Sequence, residues 1–466
     1  MPPKPDRSLT SGPIGRNLLL FALPILAGSV AQSLNGSINA VWIGRYLGEA
    51  ALTAAANANS ILFFLLGSVF GLAMAATILI GQAMGARDPL QARRVMGTSA
   101  SFFAGVSVLI AMFGLWLAPH LLAAMGTPRE SLPLAEAYLR VIFLAVPSLY
   151  MFTFLSAALR GTGDSRTPFR FLLLSVVLDI VLNPLLIFGL GPLPKLGIAG
   201  SAWATLIAQT IALAGLMLAM RRGGHVLWLG RQHLALLRPD LSILRALVVK
   251  GVPMSLQMVL ISLSLIAMMS MVNGFGTDTA AAYGAAMQLW AYVQMPAMAI
   301  GAACSSMAAQ NVGARRWDRV EATTGNGLLF NLLLTGALIV PLLVFDRHAL
   351  SLFLSASGPA MEIARHLNHI VIWSFLLFGA TFVISGVVRA TGAVIPPMLI
   401  LGISLWGIRV PFAKLLMPVF GADAIWWSFP VSSLCAVLLS LAYYRWGRWR
   451  QAHMLAMPAD ATPEAR

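Results

Sequence analysis

Charge is what this sequence has least of. Asp, Glu, Lys and Arg make up 10% of its 466 residues, against about 25% in a soluble domain. A water-soluble fold of that composition would expose far too much apolar surface, so its 59% hydrophobic content has to face lipid. Cysteine is nearly absent too. Cys304 and Cys435 are the only two, and both lie in apolar runs, which argues against a disulfide-stapled scaffold. The net charge of +15 has no continuous basic face behind it, and that argues against a nucleic-acid partner. P-loop, GxSxG, HExxH and CxxC motifs are missing, which speaks against ATP hydrolysis and common enzyme chemistry. The expectation is therefore a chain that is not an enzyme and holds no metal and no organic cofactor. A cleavable signal is not expected either: the first apolar run starts near Ile14 and is too long for one.

What is present is a series of long apolar stretches. Each can cross about 30 Å of hydrocarbon as a helix, and helix is the element that satisfies its own backbone in lipid. Twelve spans are expected, near residues 14–40, 52–80, 94–118, 133–158, 167–189, 197–220, 247–274, 280–308, 322–345, 364–388, 395–418 and 424–446. The basic polar segment 221–246 separates two sets of six. The expected organisation is an N-terminal tail (1–13), an N-lobe (14–220), a linker (221–246), a C-lobe (247–446) and a polar C-terminal tail (447–466) that we expect to be disordered. With the N-terminus in the cytoplasm, the cytoplasmic segments hold 23 of the 31 Lys and Arg residues and the outer loops six. This positive-inside asymmetry places both termini, the linker and the tail in the cytoplasm. The absence of organelle signals and long tails points to a bacterial cytoplasmic membrane.

The two sets are copies. Gln82, Gly85, Ala86 and Arg87 return as Gln310, Gly313, Ala314 and Arg315, 228 positions later. Arg160, Gly163 and Pro168 return as Arg389, Gly392 and Pro397, and Pro24 as Pro253, 229 positions later. Two copies in the same order, in a very apolar chain, are the signature of a transporter with two equivalent lobes. The fold class is thus all-α and polytopic: twelve transmembrane helices in two pseudo-symmetric six-helix lobes. A monomer suffices, since both lobes are in one chain.

An ionised group in hydrocarbon costs at least about 2.5–3.5 kcal/mol. Fifteen of the sixteen acidic residues avoid that cost in loops, tails or span ends; Asp179 lies mid-span in FLLLSVVLDIVLNPLLIFG. It suits a proton carrier or an oxygen ligand for a cation, while a protonated packing role stays open. Asn183 shares its helix face, and Pro184 cannot donate to the Ile180 carbonyl. Gln32, Asn35 and Asn39 form a polar row on span one, which Asn57, Asn59 and Thr205 could meet; cavity lining and interhelical hydrogen bonding both fit it. In the second half, Gln257, Gln288, Tyr283, Trp290 and Met287, amid nine methionines between Met254 and Met307, suggest an adaptable pocket for flat lipophilic cations, with bundle packing as the alternative. Pro184, Pro24 and Pro253 are the candidate hinges. Glu362, His366 and His369 lack a fourth ligand and are not expected to bind metal. Lys414 is expected to snorkel, while for Arg409 lipid phosphate, snorkelling and substrate contact all stay open.

These motifs resemble the MATE (multidrug and toxic compound extrusion) transporters of bacteria over nearly the whole chain. The resemblance rests on ALPILAGSVAQSL, GQAMGARD, AQNVGARR, LRGTGDSRTP, LNPLLIFG and AAYGAAMQLW. It implies secondary antiport by alternating access, in which drug-like, mostly cationic compounds and dyes leave as protons or sodium ions enter. The flippase or exporter of a polar lipid or metabolite is the alternative within the same superfamily. The chain departs from the family pattern in its acids. Many members place an Asp where Asn39 stands, and some carry a Glu in span seven, where this chain has Gln257 and serines. The fifth span of relatives reads Asn, three residues, then Asp-Pro or Asn-Pro; here it reads Asp179, three residues, Asn183-Pro184. The resemblance therefore puts Asp179, Asn183, Asn39 and Thr205 at the ion-coupling site, with one acid in place of two.

Overall fold

A computed structural model describes residues 9–189, 194–355 and 358–455. Most of both expected tails (1–8 and 456–466) lies outside the described residues. The described residues are predominantly helical. In chain order the helices are α1 (Ile14–Leu47), α2 (Glu49–Gly85), α3 (Pro89–Ala124), α4 (Leu132–Gly161), α5 (Arg166–Phe188), α6 (Ile198–Arg222), α7 (Leu241–Asn273), α8 (Thr277–Gly313), α9 (Trp317–Val344), α10 (Asp346–Leu350), α11 (Pro359–Val371), α12 (Ser374–Ala390), α13 (Ile395–Gly402), α14 (Val410–Phe420) and α15 (Asp423–Trp446).

Every expected span falls on this series, with two corrections. The tenth is broken: α11 and α12 meet at 43°. The eleventh is interrupted by a π-helical segment, Ile403–Arg409, between α13 and α14. Ten helices among the described residues are long and apolar enough to cross a membrane, and the bent α11–α12 pair adds an eleventh. The twelfth, α8, is long enough at 37 residues but carries Gln288, Gln294, Gln310 and Asn311. Several helices outrun the bilayer. The 37 residues of α2 span about 55 Å at 1.5 Å per residue, so the apolar stretches marked only their middle portions.

The chain divides into two compact units, and the division does not fall in the linker. The N-terminal unit is Ala27–Gly251; the C-terminal unit takes the described residues before Ala27 together with those from Val252 onward. Both borders lie inside helices, α1 and α7, close to Pro24 and Pro253. In the N-terminal unit α4 is central and packs on α2, α3 and α6, while α5 packs on α6. Close approach of α2 and α4 needs small groups. A Cβ on Gly161 would sit 2.7 Å from the Thr77 carbonyl oxygen, and Thr77 Oγ1 donates to the Ala157 carbonyl at 2.9 Å. In the C-terminal unit α12 takes the central place, packing on α8, α9 and α15. A Cβ on Gly386 would lie 2.6 Å from the Gly301 carbonyl oxygen.

The repeat extends to backbone torsions. Arg87 (φ 58°) and Arg315 (φ 56°) are the non-glycine residues with positive φ among those described. Each closes the helix before it with the same pair of hydrogen bonds. Asp88 N donates to Ala83 O at 2.9 Å, and Arg316 N to Asn311 O at 2.8 Å, the six-residue closure of a left-handed C-cap. Gly163 (φ 91°) and Gly392 (φ 104°) likewise share one position of the repeat.

Candidate ion and substrate site

A polar cluster sits inside the N-terminal unit where α1, α5 and α6 present their amides, carboxylate and hydroxyl to one another. Helical spacing makes it. Asn35 and Asn39 are one turn apart on α1, as are Asp179 and Asn183 on α5. Asp179 is 2% exposed. Asn35 Nδ2 and Asn39 Nδ2 both donate to its Oδ2 at 2.8 Å, and Thr205 Oγ1 donates to its Oδ1 at 3.0 Å. Asn183 Nδ2 donates to the Asn39 side-chain oxygen at 3.0 Å and to the Asp179 carbonyl at 2.9 Å. The four residues expected at the ion-coupling site are thus in mutual contact, Asn183 fully buried beneath them.

The chemistry of this cluster is acceptor-rich. Three donors converge on the carboxylate, which is what an ionised carboxylate in low dielectric requires. Asn35 spends its NH2 group on Asp179, and Asn183 spends its own on Asn39 and on the Asp179 carbonyl, so oxygen is what these two leave over. Asn35 Oδ1 and Asn183 Oδ1 are buried with no hydrogen-bond partner among the described residues. The arrangement suits a small cation or a proton arriving at the carboxylate.

The cluster forms part of the wall of a cavity of about 430 Å³. That volume lies in the range of small-molecule sites. Gln32, Asn35, Asn39, Asp179 and Thr205 line it, and so does Asn59. The remainder is largely aliphatic, with Leu52, Leu62, Leu66 and Ile142 among the contributors. Tyr138, Ser175 and Gln209 also line it and were not singled out by sequence. Tyr138 donates to Asn59 Oδ1 at 3.4 Å, and Ser175 Oγ to Gln209 Oε1 at 2.9 Å. An isolated Tyr or Gln in an apolar span carries no pattern that sets it apart from packing; Gln209, one turn after Thr205, was the available clue.

Other expected residues lie elsewhere. Asn57 is absent from this wall and donates to Thr127 Oγ1 at 3.2 Å. The residues expected to form a pocket in the second half do not line this cavity. Tyr283 and Trp290 are buried in an apolar cluster with Met268, Trp426 and Phe429, and Met287 packs against that cluster. Tyr283 and Trp426 stack with centroids 5.8 Å apart. Gln257 is buried and accepts from Arg389 Nη1 at 2.7 Å, while Gln288 is exposed. Pro184, Pro24 and Pro253 all lie within continuous helices. His366 bonds Asp423 at 2.9 Å and His369 the Arg365 carbonyl at 2.8 Å. No group of three His, Cys, Asp or Glu side chains among the described residues is placed to hold a metal.

Known proteins resemble this chain over most of its length. The MatE family profile matches residues 24–185 and again 253–415, once per copy of the repeat. The probable multidrug resistance protein YoeA of Bacillus subtilis (strain 168) is 37% identical over 434 residues, covering 93% of this chain and 94% of that protein. The multidrug export protein MepA of Staphylococcus aureus (strain NCTC 8325 / PS 47) is 25% identical over 93% of this chain and 94% of its own. A solved outward-facing multidrug resistance MATE transporter superposes with a TM-score of 0.87, covering 96% of this chain and 98% of the other at 19% identity.

Proposed function

Because this chain belongs to the MatE family of multi-pass multidrug efflux transporters, we propose that it is a secondary antiporter with Asp179 as the coupling group. Drug-like, mostly cationic compounds leave the cell in exchange for H+ or Na+ across a bacterial cytoplasmic membrane. The observation that carries this reading is the carboxylate itself. It is buried, held by three donors and set in the wall of a cavity of about 430 Å³.

The cycle follows from electrostatics. With Asp179 ionised, the cavity wall is negative and attracts an organic cation into aliphatic surroundings. A proton or sodium ion arriving from outside neutralises the carboxylate and removes that attraction, so cargo and coupling ion oppose each other at one charge. Coupling requires that each ligand bind the inward-open and outward-open states with different affinity. Asn35 and Asn183 supply side-chain oxygens that accept nothing from the described residues, a fit to a cation. Thr205 and Asn39 hold the carboxylate in place. Pro184 leaves the Ile180 carbonyl without its helical donor, which loosens α5 one turn beyond Asp179. Pro24 and Pro253 are proposed to do the same for α1 and α7. Both termini and the linker are assigned to the cytoplasm from the basic residues, and a single chain is the transporting unit.

The test uses purified protein in proteoliposomes loaded with ethidium, with a proton or a sodium gradient imposed separately. Dye movement should follow one gradient, and Asp179→Asn should abolish that dependence. Transport by Asp179→Asn at the wild-type rate would remove Asp179 from the mechanism.

A further inference from the structure

The C-terminal unit buries a charge of the opposite sign. Arg409 ends the π-helical segment Ile403–Arg409 and is 8% exposed. Its Nε donates to Ser432 Oγ at 2.9 Å. Its guanidinium lies over the Phe429 ring, 4.3 Å from the centroid. Among the described residues no carboxylate pairs with it, and its Nη1 and Nη2 make no hydrogen bond. Structural arginines can be compared directly. Arg319, also 8% exposed, donates to three backbone carbonyls and to Asn311. Arg409 has one hydroxyl.

The neighbours of Phe429 extend the pattern. Tyr283, whose ring centroid is 6.5 Å from that of Phe429, is fully buried and its hydroxyl has no hydrogen-bond partner. Trp290, 5.7 Å from Phe429, donates its Nε1 hydrogen to Asn368 Oδ1 at 2.9 Å. An indole N–H can only donate, so Asn368 must turn its oxygen toward Trp290. Asn368 Nδ2 is then left buried without an acceptor. Around Asp179 the unused buried amide atoms are acceptors; around Phe429 the unused buried groups are an amide donor and a tyrosine hydroxyl, beside a guanidinium whose one hydrogen bond goes to Ser432. A cluster built for packing would pair these groups with one another or replace them by hydrocarbon.

We propose that the C-terminal unit holds an oxyanion site centred on Arg409, which recognises a carboxylate or phosphate carried by the exported compound. The π-helical turn sets the guanidinium against Phe429, whose face holds it as a cation–π partner and leaves its forked edge for a planar oxyanion. Tyr283 contributes a hydroxyl donor. The cargo class this implies is an amphipathic organic cation that also bears an acidic group. The inference extends the export reading to a class of cargo, but the site stands on its own geometry.

The test measures binding without any gradient, so it is independent of ion coupling. Rhodamine B, with a free carboxylate, and its ethyl ester, which lacks that charge, are titrated by fluorescence anisotropy against protein in phosphatidylcholine nanodiscs. Arg409→Gln should weaken rhodamine B binding about tenfold, the scale of a charge-assisted hydrogen bond, and leave the ester within about twofold. Arg409→Lys should fall between. Tyr283→Phe, which removes only an unpaired hydroxyl, should weaken rhodamine B about threefold by the loss of one neutral hydrogen bond without lowering thermal stability. Equal loss of both dyes in Arg409→Gln, together with an unchanged rhodamine B affinity in Tyr283→Phe, overturns the proposal. So does no change in either dye. Repeating the titration in dodecyl maltoside micelles, which carry no phosphate, separates the two sources of oxyanion. If the wild-type preference for rhodamine B appears only in the micelles, a lipid headgroup occupies the site in the bilayer and the assignment to cargo is wrong.

Discussion

Asn39 Nδ2 on α1 lies 2.8 Å from Asp179 Oδ2 on α5, while the oxygen of the same amide accepts from Asn183 Nδ2 at 3.0 Å. One side chain therefore ties the carboxylate to the residue a turn further along its own helix. Asn39→Leu keeps the volume and deletes both bonds. It leaves a buried carboxylate with one donor fewer, a loss of about 1–3 kcal/mol. Gradient-driven ethidium transport in proteoliposomes should fall about tenfold, and Asn39→Gln, which keeps both hydrogen-bonding functions, should recover part of it. A leucine variant as active as the wild type would show that this amide only fills space.

Much of that site was legible because lipid makes polar groups conspicuous. Asp179 stands alone among apolar residues, and the cost of burying it is what gives it meaning in the sequence. The row Gln32, Asn35, Asn39 was visible for the same reason, and helical spacing placed Asn183 beside Asp179. Thr205 was reachable only as a polar residue in a neighbouring span. Tyr138 was not reachable, since an aromatic side chain in a membrane helix looks the same whether it packs or lines a cavity. In the second half Tyr283, Trp290 and Met287 gather in one buried cluster and not on the wall of the cavity, because composition reports residue type and not what faces it. The repeat gave the twelve spans, but hydropathy could not find the break between α11 and α12 or the π-helical turn before Arg409, since neither changes the apolar average.

The matched torsions of Arg87 and Arg315 make a second expectation. A non-glycine residue in the left-handed region costs roughly 1–2 kcal/mol, and both copies of the repeat accept that cost at the same place. Arg315→Gly removes the clash and, after the extra freedom of glycine in the unfolded chain, should raise stability by up to about 1 kcal/mol. Arg315→Val, branched at Cβ, should lower it. The fraction still monodisperse on size exclusion after graded heating ranks the three proteins. A glycine variant that falls below the valine variant would contradict the strain argument.

The start of α7 responds to pH through Asp240. Its carboxylate accepts from Ser242 Oγ at 2.6 Å and from Ser242 N at 2.9 Å. These bonds, the Ser242 hydroxyl first, hold its pKa below the ordinary value against a smaller opposing effect of burial, with the Ile243 amide and the charge of Arg94 adding to them. A depressed carboxylate contributes stability that is present above its unfolded-state pKa and is lost as pH falls through the folded one. Amide hydrogen exchange in the first turn of α7 should therefore stay protected from pH 7 to 5 and rise only below about pH 4. Asp240→Ala should exchange about fivefold faster at pH 7, as expected for a lost N-cap. The gap to wild type should close in acid. A gap that is constant with pH would show that the carboxylate is not the cap.

Arg319 fastens the segment that leads into α1. Its guanidinium donates to the carbonyls of Gly12 at 3.0 Å, Ser11 at 3.3 Å and Leu9 at 3.4 Å, and to Asn311 Oδ1 at 3.2 Å. Gln310 Oε1 accepts from Leu9 N at 2.9 Å, so residues flanking the second Q-x-x-G-A-R turn hold this strap from both sides. Carbonyls stripped of these donors gain more from water than from staying docked. In Arg319→Met, which keeps much of the side-chain length without the charge, the strap should open locally while the helices stay folded. A protease added to the purified protein should then cut within residues 9–13 at least about tenfold faster than in wild type, the rate tracking the open population, with the rest of the chain equally resistant in both. Arg319→Lys, which retains one cationic donor group, should be cut at an intermediate rate. Equal cleavage of wild type and methionine variant would mean that Gln310 and Asn311 hold the strap without the arginine.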